Sequence, residues 1–540
     1  MLTFPINIPC FFCYPEIHYK FFRFFPSIIY KKQPEVIFDI PARCAPNKDI
    51  PVILIVNDLH KFNFNVLDIN IVVNQIKKEP VSFFFSNPEQ YKISHPLKMY
   101  SDVYILFLPR NKLPEGKVYI NCKATLQYRN KKIIVVNDNI FSSSKMPFCC
   151  FLTNISLPQA SLCSYGDLHI HSQFSQSPVE FGPPIEVIDL IAEAYGIDFV
   201  AITDHSYDLA CMVDNYLKVS NKSQRWELML NEISKVNKKS KIITICGEEI
   251  SVFNSKNKVV HLCGIGMKEY IEGSADGARF NSLRTYKIKE AAEKIHLQNG
   301  LAIAAHPGSK CGFMQRLFLK RGIWKNNDLV DIDAIQAVNN GFSLSWERAK
   351  KMWTRELLNN KKIPLVAGND SHGDFNRYRY IYVPFIYVAE NFLRHLAYAR
   401  TGIYSKAKSE KDVLECIKKG KTFITTGPFL CLSSSSLCQD AIISNNDIKI
   451  YNRQIELSAI ITSSYEYGYI EKIVIYFGNY STKKEIIVFA KYYYKERIFE
   501  KVEKINIKNL ESGYLRAEVS CLTDDGIRTF GATSACYLTT

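Results

Sequence analysis

No stretch of the sequence is apolar for long enough to cross a bilayer as a helix, which argues against a helical membrane-spanning protein. The opening residues, MLTFPINIPCFFCYPEIHYKFFRFFPSIIYKK, lack the charged, then apolar, then small layout of a secretory signal. Runs of five or six basic residues are also missing. The 68 Lys and Arg outnumber the 53 Asp and Glu, giving a formal charge of +15, but the excess is dispersed. A dedicated nucleic-acid surface is therefore not expected. The 16 cysteines show no regular spacing. One CxxC, Cys10 and Cys13, has no second pair to complete a zinc site. Cys149 and Cys150 are adjacent, an unusual arrangement for a disulfide framework. Reduced, mostly buried thiols and a cytoplasmic location are the expectation. There is no internal repeat and no low-complexity tract.

What is present is an ordinary globular composition, 47% hydrophobic and 22% charged, over 540 residues. That length predicts two to four domains. Residues 1–32 read as an N-terminal segment. Residues 33–158 alternate apolar and polar positions in short runs such as VILIV (Val52 to Val56), separated by turn residues, and predict a β-sandwich-like domain. From residue 159 to 405 short apolar strands alternate with amphipathic helical segments, which predicts a βα architecture with a parallel sheet. Residues 406–434 form an extension. Residues 435–540 return to strands and predict a second, smaller β-sandwich.

Seven strands are predicted in the central region: YGDLHI (165–170), DFVAIT (198–203), IITIC (242–246), VVHLCG (259–264), LAIAA (301–305), DAIQAV (333–338) and IPLVA (363–367). The first carries Asp167 and His169, with His171 at its end. Residues i and i+2 of a strand point to one face, so the two imidazoles stand side by side. Asp204 and His205 follow the second strand, and Glu248 and Glu249 the third. His261 lies in the fourth, and His306 follows the fifth. Asp370 and His372 follow the seventh. Histidine is scarce, yet six of the eleven fall in this set.

Each fragment alone has an ordinary explanation: a satisfied core histidine, a helix N-cap in TDH, a turn in HPG. Their recurrence at five strand ends of one region points instead to a shared site. Histidines and carboxylates together suit Zn²⁺, Mn²⁺ or Fe²⁺. A carboxylate can bridge two ions, and an ion pair clamps an ester oxygen during attack by hydroxide held between the metals.

The motifs DLHIHS, ITDHS, GEEIS followed by HLCGIG, AAHPG and GNDSH resemble, in order, those of the PHP (polymerase and histidinol phosphatase) domain over residues 160 to 400. YGDLHIHS and the later KKGKTFITTGPFL (Lys418 to Leu430) further resemble the CehA/McbA-type branch of metallohydrolases. The resemblance implies a central distorted (β/α)7 barrel, flanked here by the two β-sandwiches, and two or three divalent ions. It implies that His169, His171, Glu249 and Asp370 hold one ion. Glu249 would bridge to a second on His261 and His306, and a third would lie on His205 and His372. Asp167, Asp204 and Glu248 would stand behind the ligands and orient imidazoles, with Asp204 alternatively touching an ion itself. Two departures stand out. Gln176 and Ser177 sit where many members carry a ligand to the third ion, with Glu180 the nearest acid, so that site is expected to be empty, weak or water-filled. Gln336 sits where a glutamate is common.

The function expected is metal-dependent hydrolysis of a small-molecule ester, a phosphate ester ahead of a carboxyl or carbamate ester. A metal-binding scaffold without catalysis is the remaining alternative. Arg377, Arg379 and Lys310 are the candidate substrate contacts, and His205 or His306 the candidate proton donor to the leaving group. Tyr207 and Asp208 are expected to line the pocket or cap the next helix.

Overall fold

The computed structural model describes residues 33–539 apart from 60–61, 140–145, 176–181, 216–217, 221–222, 275–282, 312–315, 317–319, 340, 374, 377–379, 384–385, 390–394, 434–446, 450–452 and 494–495. The N-terminal module has two sheets. One contains Glu35–Asp39, Ile50–Asn57, Lys92–Ile93 and Ser101–Leu108; the other is built around Phe64–Asn74 and Gly116–Tyr128. Gly116–Tyr128 alternates as a one-sided strand should, turning Val118, Ile120, Cys122, Ala124 and Leu126 inward. Val52 and Leu54 meet them in one core. Ile50–Asn57 is buried at every position because its other face, Ile53 and Ile55, packs on the central module. Such two-sided burial produces a continuous apolar run rather than alternation. Each isoleucine covered this way contributes about 1.5–3 kcal/mol of transfer free energy.

The seven predicted central strands all form and lie side by side in sequence order: β1 (Ser164–Ile170), β2 (Phe199–Ile202), β3 (Ile243–Phe253), β4 (Val259–Ile265), β5 (Leu301–Ala304), β6 (Ala334–Val338) and β7 (Leu365–Ala367). The expected (β/α)7 barrel does not. Among the described residues strands make up 42% and helices 17%, with six helices. β3 continues seven residues past its predicted end and turns directly into β4, with no helix between. β4 is antiparallel to both β3 and β5. The sheet also does not stop at seven strands. β1 pairs with β8 (Arg400–Ile403), β8 with β9 (Thr422–Thr425), and β9 with Arg528–Thr533 of the C-terminal module, in one mixed sheet of 15 strands. The apolar runs gave the strands; their direction and their partners are set by tertiary pairing that local pattern does not carry.

Helices α1 (Ile185–Tyr195), α2 (Ser206–Leu209), α3 (Gln224–Asn237), α4 (Ile288–Leu297), α5 (Leu344–Leu358) and α6 (Glu410–Lys418) cover this sheet. α1 starts after Pro184 and ends at Gly196, whose φ of 77° lets its N–H reach back to Ala192 and Glu193. α5 is capped by Ser343, whose side chain accepts from Ser345 N–H. The C-terminal module places Phe429–Ser433, Ile455–Thr462 and Glu500–Ile507 in a three-stranded sheet over the end of the large one, around its own core. Among the described residues no helix is long and apolar enough to cross a membrane. The 13 described cysteines are all free thiols.

Candidate metal centre

All eight expected ligands converge. Three groups of donor atoms lie within 4.8 Å of one another: His169, His171, Glu249 and Asp370; Glu249, His261 and His306; and His171, His205 and His372. His169 and His171 come from one face of β1 and its end, with ring centroids 5.2 Å apart. Glu249 lies opposite Cys263 across the β3–β4 pair, and His261 is two residues from Cys263. Positions two apart share a face, so the antiparallel turn brings His261 diagonally beside Glu249. His261 Nδ1 is 2.6 Å from Glu249 Oε1. His306 follows β5, with Nε2 at 3.0 Å from the same oxygen. His205 follows β2, with Nδ1 at 2.9 Å from Glu249 Oε2. Asp370 and His372 follow β7. His306 and Asp370 adopt φ of 33° and 56°, the left-handed region that side chains seldom occupy.

The spacing in the first group is diagnostic. His169 Nε2 lies 3.3 Å from His171 Nε2, 3.5 Å from Glu249 Oε2 and 3.4 Å from Asp370 Oδ1. His171 Nε2 lies 3.4 Å from Glu249 Oε2 and 3.2 Å from Asp370 Oδ1. Most of these separations are too long for good hydrogen bonds. Donors about 2.1 Å from one tetrahedral ion stand about 3.4 Å from each other. These five distances match the edges of a tetrahedral coordination polyhedron. Likewise, His372 and His205 face each other Nε2 to Nε2 at 3.4 Å. The residues present fit divalent ions.

Protonation agrees. Burial pushes the Glu249 carboxyl up, but His261 and His169 hold it well below the usual carboxylate range. Burial and neighbouring His205 bring His171 down to about 3, keeping it neutral. Carboxylate and neutral imidazole are the forms that bind metal.

The groups behind the ligands differ in part from expectation. Asp204 is held chiefly by serines. It accepts from Ser172 N–H at 2.7 Å and is hydrogen-bonded by Ser175. Ser175 Oγ in turn lies 3.0 Å from His171 Nδ1 and accepts from His205 N–H. Asp167 holds backbone instead: it accepts from His169, Asn369 and Ala397 N–H and from the Asn369 amide. Burial pushes its carboxyl up to about 6 against those donors. Glu248 faces away from the cluster, as strand alternation requires, and accepts from Ile271 N–H at 3.0 Å. Gln336 is the acceptor for His169, at 2.9 Å from Nδ1. Gly368 allows the close approach of β7 to β1, since a Cβ there would meet His169 Cβ at 2.5 Å. Tyr207 stacks on His205 at 4.6 Å.

A cavity of about 360 Å³ opens beside the cluster, lined by His261, His306 and Asp370 together with Lys310, Arg321 and Arg348. The N-terminal end of α5, Ser343 to Ser345, forms part of its wall. Lys310, one of the three candidate substrate contacts, is among the lining residues. Arg377 and Arg379 lie outside the described residues, as do Gln176, Ser177 and Glu180. Arg321 and Arg348 were not found from sequence. Arg321 belongs to no motif, and its guanidinium hydrogen-bonds His261 only because the segment after His306 returns to β4. For Arg348, Ser343 as the N-cap of α5 could have fixed where the helix begins, but nothing in the sequence marks this arginine as facing the site.

No family model and no curated protein matches the chain. The resemblance to the PHP family rests on the motifs alone. Among solved structures, the chain aligns with a β-glucuronidase of Parabacteroides merdae at 9% identity and TM-score 0.18, over 94% of this chain and 65% of that one, just under two thirds of its length. It aligns with red sea bream transglutaminase at 8% identity and TM-score 0.15, over 94% and 85%. A Paenibacillus sp. cycloisomaltooligosaccharide glucanotransferase gives 10% identity and TM-score 0.16, over 93% and 71%. Likeness at this level carries no argument about fold or chemistry.

Proposed function

We propose that this protein is a metal-dependent hydrolase of phosphate esters, a reading to which the resemblance to PHP-type metallohydrolases also contributes. The observation that carries it is the set of 3.2–3.5 Å separations among His169, His171, Glu249 and Asp370 beside a cation-lined cavity. His169, His171, Glu249 and Asp370 would hold one divalent ion, and Glu249, His261 and His306 a second. Bound ions in such a pair activate water at neutral pH and stabilise charge on phosphoryl oxygens. The protein's own residues do the rest. Glu249 uses one oxygen toward each group, Oε2 toward His169 and His171 and Oε1 toward His261 and His306, which fixes their relative position. Lys310, Arg321 and Arg348 line the cavity with positive charge, which favours an anionic phosphoryl group over a neutral ester. Of the two histidines considered as proton donors, His306 lines the cavity and His205 does not.

The test is hydrolysis of an aryl phosphate and of an aryl carboxyl ester by protein loaded with Mn²⁺ or Zn²⁺, beside the His171→Ala variant. Phosphate release lost in the variant is the expected result. Turnover of the carboxyl ester alone would replace the phosphoesterase reading. Full metal loading without turnover of either would leave a metal-binding scaffold.

A further inference from the structure

We infer that the N-terminal module is a clamp on the metal centre, with Asp39 a positioning residue for His372. The inference rests on the reading that the buried cluster holds metal. Asp39 ends the strand Glu35–Asp39 and is 3% exposed. Its Oδ2 accepts from Phe375 N–H at 3.0 Å, and its Oδ1 accepts from Asn376 N–H at 3.0 Å and Ile40 N–H at 2.9 Å. Phe375 is three residues beyond His372, and His372 Nδ1 is already turned onto Asp370 O at 3.0 Å. The backbone that Asp39 grips is thus the continuation of the turn that presents both ligands. Two further contacts tie the same point to the same module. Tyr195 Oη donates to Phe375 O at 2.8 Å while accepting from Ala42 N–H at 2.9 Å. Asn376 Nδ2 donates to Cys149 O at 2.6 Å.

A second attachment reaches the other ligand loop. His95, in the N-terminal module, has Nδ1 at 2.7 Å from Oε1 of Gln173, a residue between His171 and Ser175. Its Nε2 lies 3.0 Å from Ser101 O, a carbonyl oxygen that can only accept, so Nε2 carries the hydrogen and donates. The neutral ring then needs a donor at Nδ1. Gln173 supplies it when its amide is turned so that the NH₂ faces His95, which also gives that buried NH₂ its partner. The loops bearing His171 and His372 are therefore both held from one module. His171, His205 and His372 form the group in which the sequence shows its departure at Gln176 and Ser177.

The test uses the full chain and compares wild type with Asp39→Asn, Asn376→Ala and, as reference, His372→Gln. An asparagine has one acceptor oxygen for three N–H groups and turns an NH₂ toward the others. Bound Co²⁺ per chain after dialysis, the Co²⁺ d–d spectrum and the melting temperature of metal-free protein are measured. Asp39→Asn is expected to release the most weakly held ion about tenfold more readily, with the spectrum moving toward that of His372→Gln. Loss of Co²⁺ with a metal-free melting temperature near wild type marks positioning rather than general unfolding. If Asp39→Asn does not fold, Asn376→Ala decides on the same readouts. Wild-type retention and spectrum in the folded variant would overturn the clamp alone. A wild type that binds no Co²⁺ would overturn both the clamp and the metal reading.

Discussion

Gln336 and His169 are joined through Oε1 and Nδ1 at 2.9 Å. The amide oxygen can only accept, so His169 carries its proton on Nδ1 and turns the Nε2 lone pair to Glu249 and Asp370. The same oxygen accepts from His306 N–H, and the Gln336 NH₂ donates to Asn339 Oδ1 and Gly368 O. A glutamate could not make those two donations. The residue that looked like a departure in the sequence is thus fully used.

Gln336→Leu removes the acceptor and leaves the ring free to turn. Metal affinity is expected to fall about tenfold or more, read by competition with a chromogenic chelator. Unchanged affinity would mean that packing alone orients His169.

Gly368→Ala places a methyl group 2.5 Å from His169 Cβ and 2.8 Å from its backbone nitrogen. Neither atom is the free end of a flexible side chain, so β7 must move away from β1. A loss of about 1–3 kcal/mol is expected by chemical denaturation, together with loss of bound metal.

Metal removal should lower stability by mass action, because the convergent donors exist only in the folded chain. Dialysis against a chelator is expected to depress the melting temperature, and Zn²⁺ or Mn²⁺ to restore it. The effect should shrink in His171→Ala, which keeps the Glu249, His261 and His306 group intact.

Lys310 and Arg348 line the cavity without contacting a ligand histidine in any hydrogen bond described above. Replacing both by Met should weaken inhibition by inorganic phosphate about tenfold, roughly 1.4 kcal/mol. Metal content should stay at the wild-type level. Undiminished phosphate inhibition would assign anion binding to the metals and Arg321.

Asp189, on α1 and far from this chemistry, supplies a pH signature. Burial raises its carboxyl from 3.8 to about 6. The folded state then holds the proton more tightly than the unfolded state. The stabilisation is complete below about pH 4 and is lost as pH rises through 6. The difference in melting temperature between wild type and Asp189→Asn should change across that window and be flat above it.

The ligands were legible because each sits at or near the end of an apolar run, and such runs mark strands whatever their direction. His261 shows the limit. Its residue type was readable, but its place beside Glu249 comes from the antiparallel β3–β4 turn, which the pattern VVHLCG does not encode. Arg321 shows another limit, since a lone arginine in a loop gains meaning only when the chain returns to β4. Glu248 was expected behind the ligands, orienting an imidazole; adjacent strand residues face opposite sides, so beside Glu249 it points away and accepts from Ile271 N–H instead.

The pairing of β9 with Arg528–Thr533 has a practical consequence. Thr422 Oγ1 donates to Leu365 O, and Leu365 N–H donates to Ser534 Oγ, so the strand that delivers Asp370 and His372 is stitched to the last strands of the chain. Truncation near residue 434 would not release a smaller working unit. It would open a raw sheet edge beside the ligand-bearing strand, prone to pairing with another chain. The C-terminal region is a buttress that must be kept in any shortened version of this protein.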